Sequence, residues 1–207
     1  GTKHSNTNEL IAATDSGLIV FYYKNPSAMD SSMIYLPENS PVHEKKISHA
    51  ELDENKNIWL TTDSALQILT DTKWKSTFLG QDADGVSFDL NTIKITDLKW
   101  FSSLKQMLVS TFGYGILRYK NSTVDGISGA STYGYPWSDL ASDEVNSIAV
   151  IDDYQWYGTA EGAHSHLGGD AKSGWNYFNT DSGLLSKNVR TLFIDNDTNI
   201  WMGTDAG

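Results

Sequence analysis

The chain is built from short runs of β-branched and aromatic residues, separated by turns rich in Gly, Asn, Asp and Ser. Runs of this kind are typical of β-strands, and the intervening polar clusters are typical of tight turns. The clearest stretch predicts four strands in succession, at Ile47–Leu52, Ile58–Thr62, Leu66–Thr70 and Lys73–Phe78. The polar segment Asp53–Asn57 lies between the first two strands and predicts a hairpin turn.

A similar pattern occurs five times along the chain. Each occurrence has a strand-like run that ends in a threonine, then a small turn and a second strand-like run. The anchor threonines are spaced 45 to 49 residues apart, at Thr14, Thr62, Thr111, Thr159 and Thr204. A large apolar residue precedes each anchor by three positions, namely Ile11, Trp59, Leu108, Trp156 and Trp201. Four short antiparallel strands per period of about 40 to 50 residues are typical of a β-propeller blade.

The repeats therefore predict an all-β fold, a β-propeller of four to five blades with four antiparallel strands each. We expect one propeller domain or partial propeller over residues 1–207, with approximate blades at 8–40, 41–90, 91–140, 141–184 and 185–207. The first run, Glu9–Thr14, corresponds to the second strand of a blade, and the last blade is incomplete. We expect a fragment of a longer propeller or a small closed ring. In both cases an exposed edge near Ile200–Thr204 invites pairing with further blades or a second chain.

Two of the repeats share a longer motif. Residues Gly183–Asp195 and Asn199–Gly207 form one copy, and Val145–Asp152 with Trp156–Thr159 forms another with a shorter turn. This motif resembles the two-component-regulator propeller repeat, which reads approximately GL-x-x-N-x-V-x-x-L-x-x-D-x-x-G-N-I-W-x-G-T-x-x-G-L. The second repeat keeps Asn57-Ile58-Trp59 but has Thr61 and Ala65 where the family has glycine, and the third repeat lacks the tryptophan.

The resemblance implies a function as well as a fold. Such propellers form the extracytoplasmic sensing part of bacterial membrane-bound regulators, often hybrid two-component sensors that detect breakdown products of complex carbohydrate. The first hypothesis is therefore a non-catalytic ligand-binding module for signal transduction, in the periplasm or at the cell surface. The second is a structural or protein-interaction propeller of a secreted or surface-assembly protein. The third is a propeller enzyme, such as a polysaccharide lyase or glycosidase.

The amino-acid composition limits the classes of partner that the chain can bind. The chain carries 26 acidic and 15 basic side chains, for a net charge of −11, and has no cysteine. The negative charge disfavours nucleic acid and anionic membrane surfaces. The lack of cysteine excludes disulfides, thiolate metal sites and a cysteine nucleophile. No run approaches eighteen apolar residues, so we expect no membrane contact by this segment.

The recurring tryptophans and threonines are predicted to be structural. A tryptophan at the same strand position of several blades is expected to pack between neighbouring sheets, and a threonine hydroxyl can satisfy the amides of the adjacent turn. The residues assigned to this role are Trp59, Trp156, Trp201, Thr62, Thr111, Thr159 and Thr204.

Two features could indicate a metal site, and neither is convincing. Asp195–Asn199 begins like a calcium-binding EF-hand loop, but Ile200 and Ala206 stand where the loop requires Gly and Glu. His164 and His166 lie on one face of a predicted strand, but a third ligand is not visible and such histidines are expected at the surface. The sequence therefore predicts neither a metal nor a cofactor.

The turns that follow the anchor threonines are the candidate ligand site. They combine acids with aromatic residues, and a later loop adds further rings; the set is Asp15, Asp63, Phe112, Tyr114, Tyr135, Trp137, Glu161 and Asp205. Aromatic faces can stack on sugar rings while carboxylates accept from sugar hydroxyls. We therefore predict oligosaccharide binding here, with ordinary turn chemistry as the alternative. No catalytic residue is predicted.

Overall fold

A computed structural model describes residues 8–25, 27–63, 65–70, 73–77, 79–81, 87–119, 130–133, 139–168 and 173–207. The chain forms two compact units, residues 1–78 and 79–207. In these residues, nearly all regular structure is antiparallel β-sheet, with two single-turn 3₁₀ helices at Leu90–Thr92 and Thr180–Ser182. Among the described residues, no helix is long and apolar enough to cross a membrane.

The first unit contains two sheets whose strands follow one another in chain order. The three-stranded sheet consists of β1 (Asn8–Thr14), β2 (Gly17–Asn25) and β3 (Ala28–Tyr35). The four-stranded sheet consists of β4 (His49–Leu52), β5 (Ile58–Thr61), β6 (Leu66–Thr70) and β7 (Lys73–Thr77). The four strands predicted in the second repeat thus appear within about two residues of their predicted bounds.

The two sheets of the first unit share one apolar core. Alternate residues of β2, including Leu18 and Val20, are buried against Ile58 and Leu60 of β5. A strand buries every second side chain on one face, so this alternation is what orients the sheet. The Ile47 amide N–H donates to the Thr14 carbonyl oxygen at 2.9 Å, which fixes the first sheet to the start of the second.

The described part of the second unit forms four antiparallel sheets. A hairpin is formed by β8 (Leu79–Gln81) and β9 (Ser87–Asp89). One four-stranded sheet consists of β10 (Lys94–Phe101), β11 (Gln106–Phe112), β12 (Ile116–Tyr119) and β13 (Ala130–Tyr133). The next consists of β14 (Val145–Ile151), β15 (Tyr154–Thr159), β16 (Gly162–Leu167) and β17 (Trp175–Phe178). The last contains β18 (Val189–Ile194) and β19 (Ile200–Thr204).

Successive sheets of the second unit pack face to face. One core joins β10–β13 to β14–β17 and includes Phe101, Leu108, Ile148 and Tyr157. A second core joins β14–β17 to β18–β19 and is built around Val189 and Leu192. Each sheet therefore covers an apolar face of its neighbour, as expected of repeats that cannot bury that face alone.

Polar bonds fix the register between the sheets. The Asp97 carboxylate accepts from the Ile148 amide N–H at 2.9 Å, and the Thr96 hydroxyl donates to the Val145 carbonyl oxygen. One sheet further on, Asn146 occupies the position of Thr96, and its side-chain amide donates to the Val189 carbonyl oxygen at 2.9 Å. The same inter-sheet bond is thus made by two different side chains.

Candidate functional site

An aspartate closes the hairpin before the Asn57-Ile58-Trp59 segment of the second repeat. One oxygen of Asp53 accepts from the backbone amides of Asn55 and Asn57, both at 2.9 Å. The other accepts from the Asn57 side chain at 2.8 Å and from the Trp59 indole N–H at 3.1 Å. The carboxylate therefore holds both the turn and the indole ring, and Trp59 is only 1% exposed.

The last repeat contains the same arrangement in a different environment. Asp195 accepts from the Asp197 and Asn199 amides, from the Asn199 side chain and, at 2.8 Å, from the Trp201 indole N–H. Hydrogen bonds from Asn199 and Trp201 lower the pKa of Asp195 to about 2. Trp201, however, is 61% exposed. In this chain it does not pack between two sheets, unlike the prediction for the recurring tryptophans.

The anchor threonines close the turns between adjacent strands. The Thr159 hydroxyl donates to the Gly162 carbonyl oxygen at 2.8 Å and accepts from the Glu161 amide at 3.2 Å. Thr14, Thr111 and Thr204 make the same pair of bonds within their own turns. These threonines shape the turns that carry the candidate ligand residues.

The aromatic turn, which we define as residues 112–115 from the last residue of β11 to the start of β12, carries two exposed rings. Phe112 is 47% exposed and Tyr114 is 37% exposed. Gly113 and Gly115 both have positive φ, at 107° and 66°, a conformation that favours glycine. The turn is one residue longer than the turn at Thr159, and this extra length gives it room for two rings.

The connecting segment 140–144 holds the aromatic turn in place. The amides of Gly113 and Gly115 both donate to the Asp143 carbonyl oxygen at 3.0 Å. Phe112 forms an antiparallel bridge with Glu144. The Glu144 carbonyl oxygen accepts in turn from the Ala160 amide at 3.0 Å, which brings the next turn beside the aromatic one.

Two predicted acids of the second unit continue this row, and each is paired with a cation. The Lys187 ammonium group donates to the Glu161 carboxylate at 3.1 Å, and the Arg190 guanidinium donates to the Asp205 carboxylate at 2.6 Å. The Arg190 bond holds the pKa of Asp205 below its usual range. All four side chains are largely exposed, so the pairs contribute little to stability.

The structure therefore brings Phe112, Tyr114, Glu161 and Asp205 to one edge of consecutive sheets in the second unit. Asp15 and Asp63 occupy the corresponding turns of the first unit, where the Lys46 ammonium group donates to Asp63 at 3.2 Å. Tyr135 and Trp137 lie outside the described residues.

The two strand histidines are buried, so the expectation that they lie at the surface is wrong. His164 and His166 share one face of β16, as their spacing predicts, and both are fully buried. The His164 ring stacks on Tyr177 with centroids 4.8 Å apart, and His166 stacks on Trp175 at 4.3 Å. The periodicity of β16 cannot show that a neighbouring sheet covers this face, which is why the sequence did not reveal their burial.

A buried glutamine was missed by the sequence analysis. The Gln67 side chain accepts from the His43 amide at 2.8 Å and donates to the Pro41 carbonyl oxygen and the Ser76 hydroxyl. Gln67 follows its anchor threonine by five residues, as His164 does. That common offset is the signal that could have identified both residues as partners of the incoming loop.

The described residues do not assemble a metal site. No group of three or more His, Asp or Glu side chains in this part of the chain is placed to hold a metal ion. Asp195 begins the EF-hand-like segment, and its carboxylate oxygens accept hydrogen bonds from the turn amides and from the side chains of Asn199 and Trp201.

Comparison with known proteins identifies the type of repeat. Residues 183–206 match the family described as Two component regulator propeller. No curated protein sequence matches the chain. The family match covers the repeat whose motif carried the resemblance.

Solved structures show the fold. The extracellular domain of BT4673 from B. thetaiotaomicron, described as a hybrid two component system, is 16% identical with a TM-score of 0.67. The match covers 98% of this chain and 25% of that one. The corresponding domain of BT3049 is 18% identical with a TM-score of 0.65, covering 95% of this chain and 24% of that one.

A surface component of a secretion system is also similar. PorZ, from the type-IX secretion system of Porphyromonas gingivalis, is 18% identical with a TM-score of 0.53, covering 79% of this chain and 24% of that one. The chain spans about a quarter of the length of each of these structures. The chain has the fold of a β-propeller fragment, similar to the extracellular domains of BT4673 and BT3049, and its residues 183–206 match the two-component regulator propeller family.

Proposed function

We propose that the chain is a non-catalytic, extracytoplasmic sensing module that binds carbohydrate as part of a bacterial two-component signalling protein. The likeness to extracellular domains of such systems supports the location and the signalling role. The carbohydrate ligand is supported by the site itself. Further blades of the same protein are the expected neighbours of the chain.

The observation that carries the ligand proposal is the aromatic turn. Phe112 and Tyr114 are exposed on a backbone fixed by the bonds from Gly113 and Gly115 to Asp143. A rigid aromatic platform binds a sugar ring with little loss of conformational entropy. The backbone of Glu144 bridges to Phe112, and Glu161 lies in the next turn with one carboxylate oxygen bound by Lys187. The carboxylates of these two residues are the acceptors that we expect sugar hydroxyls to use.

The acids in this row do not suit glycosidase chemistry. A general acid for glycoside cleavage needs a raised pKa. The pKa of Asp205 is instead lowered by its bond to Arg190, and Glu161 is occupied by Lys187. These pairings favour binding over hydrolysis.

The proposal can be tested by a thermal-shift screen against a library of oligosaccharides. A true ligand at about one hundred times its Kd should stabilise the chain by about 3 kcal/mol. The double variant Phe112→Ala/Tyr114→Ala should lose this shift. Tyr154→Ala is the matched control, because Tyr154 is an exposed aromatic residue in the β14–β15 hairpin, away from the aromatic turn.

Two results would contradict the proposal. One is that no oligosaccharide stabilises the chain at millimolar concentration. The other is that the double variant and the Tyr154→Ala control respond equally to the sugar that stabilises the unmodified chain.

A structural or protein-interaction role is the second candidate, and a specific observation favours it. The outer face of β18–β19 exposes Phe193 beside Trp201, and the outer face of β1–β3 carries a shallow apolar pocket of about 390 Å³. Apolar faces of this kind mark protein contacts. Two results together would favour this role: no oligosaccharide stabilises the chain, and a protein that binds the unmodified chain does not bind the Phe193→Asp variant.

A further inference from the structure

The connecting segment 140–144 is held by hydrogen bonds on both sides. On one side, Asp143 accepts from the two glycine amides of the aromatic turn. On the other, the Ala141 amide N–H donates to Nε2 of His164 at 3.2 Å. Leu140 next to it is fully buried in the core between two sheets. The segment therefore joins a buried imidazole ring to an exposed pair of aromatic rings.

The bond from Ala141 determines how His164 is protonated. Because Nε2 accepts a hydrogen bond, it carries no proton, and the proton of the neutral ring lies on Nδ1. Nδ1 of His164 is buried and has no hydrogen-bond partner among the described residues. A second proton would turn Nε2 into a donor facing the Ala141 N–H, which would break this bond.

The surroundings of His164 oppose a charge on its ring. Tyr177 on β17 stacks on the ring, Tyr157 on β15 pairs across from it, and His166 shares its strand face. The segment packed against it also carries the acids Asp143 and Glu144. The tyrosines are uncharged near neutral pH, and burial, not a neighbouring charge, is the cause that shifts the pKa of His164. Burial lowers the pKa of His164 to about 4, so the ring is neutral and accepts from Ala141 near neutral pH.

The second repeat provides a comparison that does not titrate. Gln67 occupies the position of His164 and accepts from the His43 amide at 2.8 Å. A glutamine can therefore fill this position and hold the incoming loop. It also gives the matched substitution for separating the hydrogen bond from the titration.

We propose that His164 is a positioning residue for the aromatic turn, holding the segment 140–144 through Ala141 when neutral and releasing it when protonated. The consequence is that acidification loosens the turn carrying Phe112 and Tyr114. The role of this turn as a ligand site rests on the proposed function. The coupling of His164 to the turn does not, because it can be measured without a ligand.

The test is residue-resolved amide hydrogen exchange at pH 6.5 and pH 3, expressed as protection relative to intrinsic exchange. In the unmodified chain, the amides of Ala141, Gly113 and Gly115 should lose about tenfold in protection at the lower pH. The His43 amide on Gln67 is the internal control and should change far less.

Two variants separate the bond from the charge. His164→Gln should keep the protection of these amides at both pH values, because its side chain can accept from Ala141 and does not titrate. His164→Leu should lose the protection at both. If His164→Leu fails to fold, His164→Gln still decides the matter.

The proposal is overturned if His164→Gln shows the same pH-dependent loss as the unmodified chain, or if a folded His164→Leu retains full protection. Oligosaccharide affinity measured on the same variants then tests the proposed function separately. Coupling seen in exchange without any sugar binding would retain His164 as a positioning residue and reject the sugar site.

Discussion

At the residue scale, the same side chain can contribute very differently to stability in different repeats. Asp53 and Asp195 make the same four hydrogen bonds, but Asp53 is buried and Asp195 is partly exposed to solvent. A buried carboxylate that loses its partners pays a full desolvation cost, whereas an exposed one regains water. The two positions therefore form a natural pair for comparison.

Asp53→Asn should lower the free energy of unfolding by about 2 to 3 kcal/mol. The reason is that an NH₂ group would then face N–H donors from which a carboxylate oxygen now accepts hydrogen bonds. Asp195→Asn should lower it much less. Urea unfolding of the two variants, followed by tryptophan fluorescence, provides the comparison. Equal losses of stability at both positions would mean that burial does not determine how much this aspartate contributes to stability.

His164 gives a pH dependence whose sign follows from burial. Its pKa is about 4 in the folded chain against about 6.5 when unfolded, so the unfolded state binds more protons between these values. Stability should therefore be full above about pH 6.5 and decline as the pH falls towards 4, by at most about 3 kcal/mol.

The contribution of His164 is measured by urea unfolding of the unmodified chain and of His164→Gln between pH 7 and pH 4. The variant should lose less stability over this range. Parallel pH profiles for the two proteins would show that His164 is not the titrating group.

At the element scale, glycine determines how closely neighbouring sheets approach. A Cβ atom at Gly158 of β15 would lie 2.7 Å from the Ser147 hydroxyl and 2.9 Å from Val189 Cγ1 on the next sheet. At the equivalent Gly203 of β19, a Cβ atom would meet Thr191 Cγ2 of its own sheet at 2.7 Å. Among the described residues, no atom of a neighbouring sheet would lie within 4 Å of it.

Gly158→Ala should therefore lower the free energy of unfolding by about 1 to 3 kcal/mol, since it pushes β18 away from β15. Gly203→Ala should cost less, because no adjoining sheet must move. Denaturant midpoints of the two variants check this. A larger loss of stability for Gly203→Ala than for Gly158→Ala would contradict the conclusion that Gly158 lies against a neighbouring sheet and Gly203 does not.

The elements themselves were largely predictable from sequence, and the site only in part. Runs of β-branched and aromatic residues and the Asp53–Asn57 turn predicted the strands of the second repeat closely, because these signals are local. The pairing of Glu161 with Lys187, 26 residues away, carries no local signal. The burial of His164 depends on the preceding sheet, which the pattern of β16 does not contain.

At the scale of the whole molecule, the last sheet leaves an apolar face uncovered within the described part of the chain. Phe193 and Trp201 stand opposite each other on β18–β19, and both are more than half exposed. The equivalent face of β14–β17 contains Ala149 and Trp156 and is covered by β18–β19. A further repeat is the partner that this face would fit.

Neighbouring residues on β18 allow this face to be tested. Phe193→Asp should change the free energy of unfolding by less than about 0.5 kcal/mol, because the side chain is already in water. Leu192→Asp should unfold the last sheet, because it buries a charge in the core shared with β14–β17. Circular dichroism and urea unfolding distinguish the two, and a severe loss for Phe193→Asp would mean that its face is covered.

The central claim is that this propeller fragment binds sugar on its aromatic turn, and a crystal structure of the chain with a stabilising oligosaccharide tests it most directly. The account predicts a sugar ring stacked on Phe112 or Tyr114, with hydroxyl groups directed at Glu144 or Glu161. A sugar bound elsewhere, such as in the apolar pocket beside Met29, would contradict it.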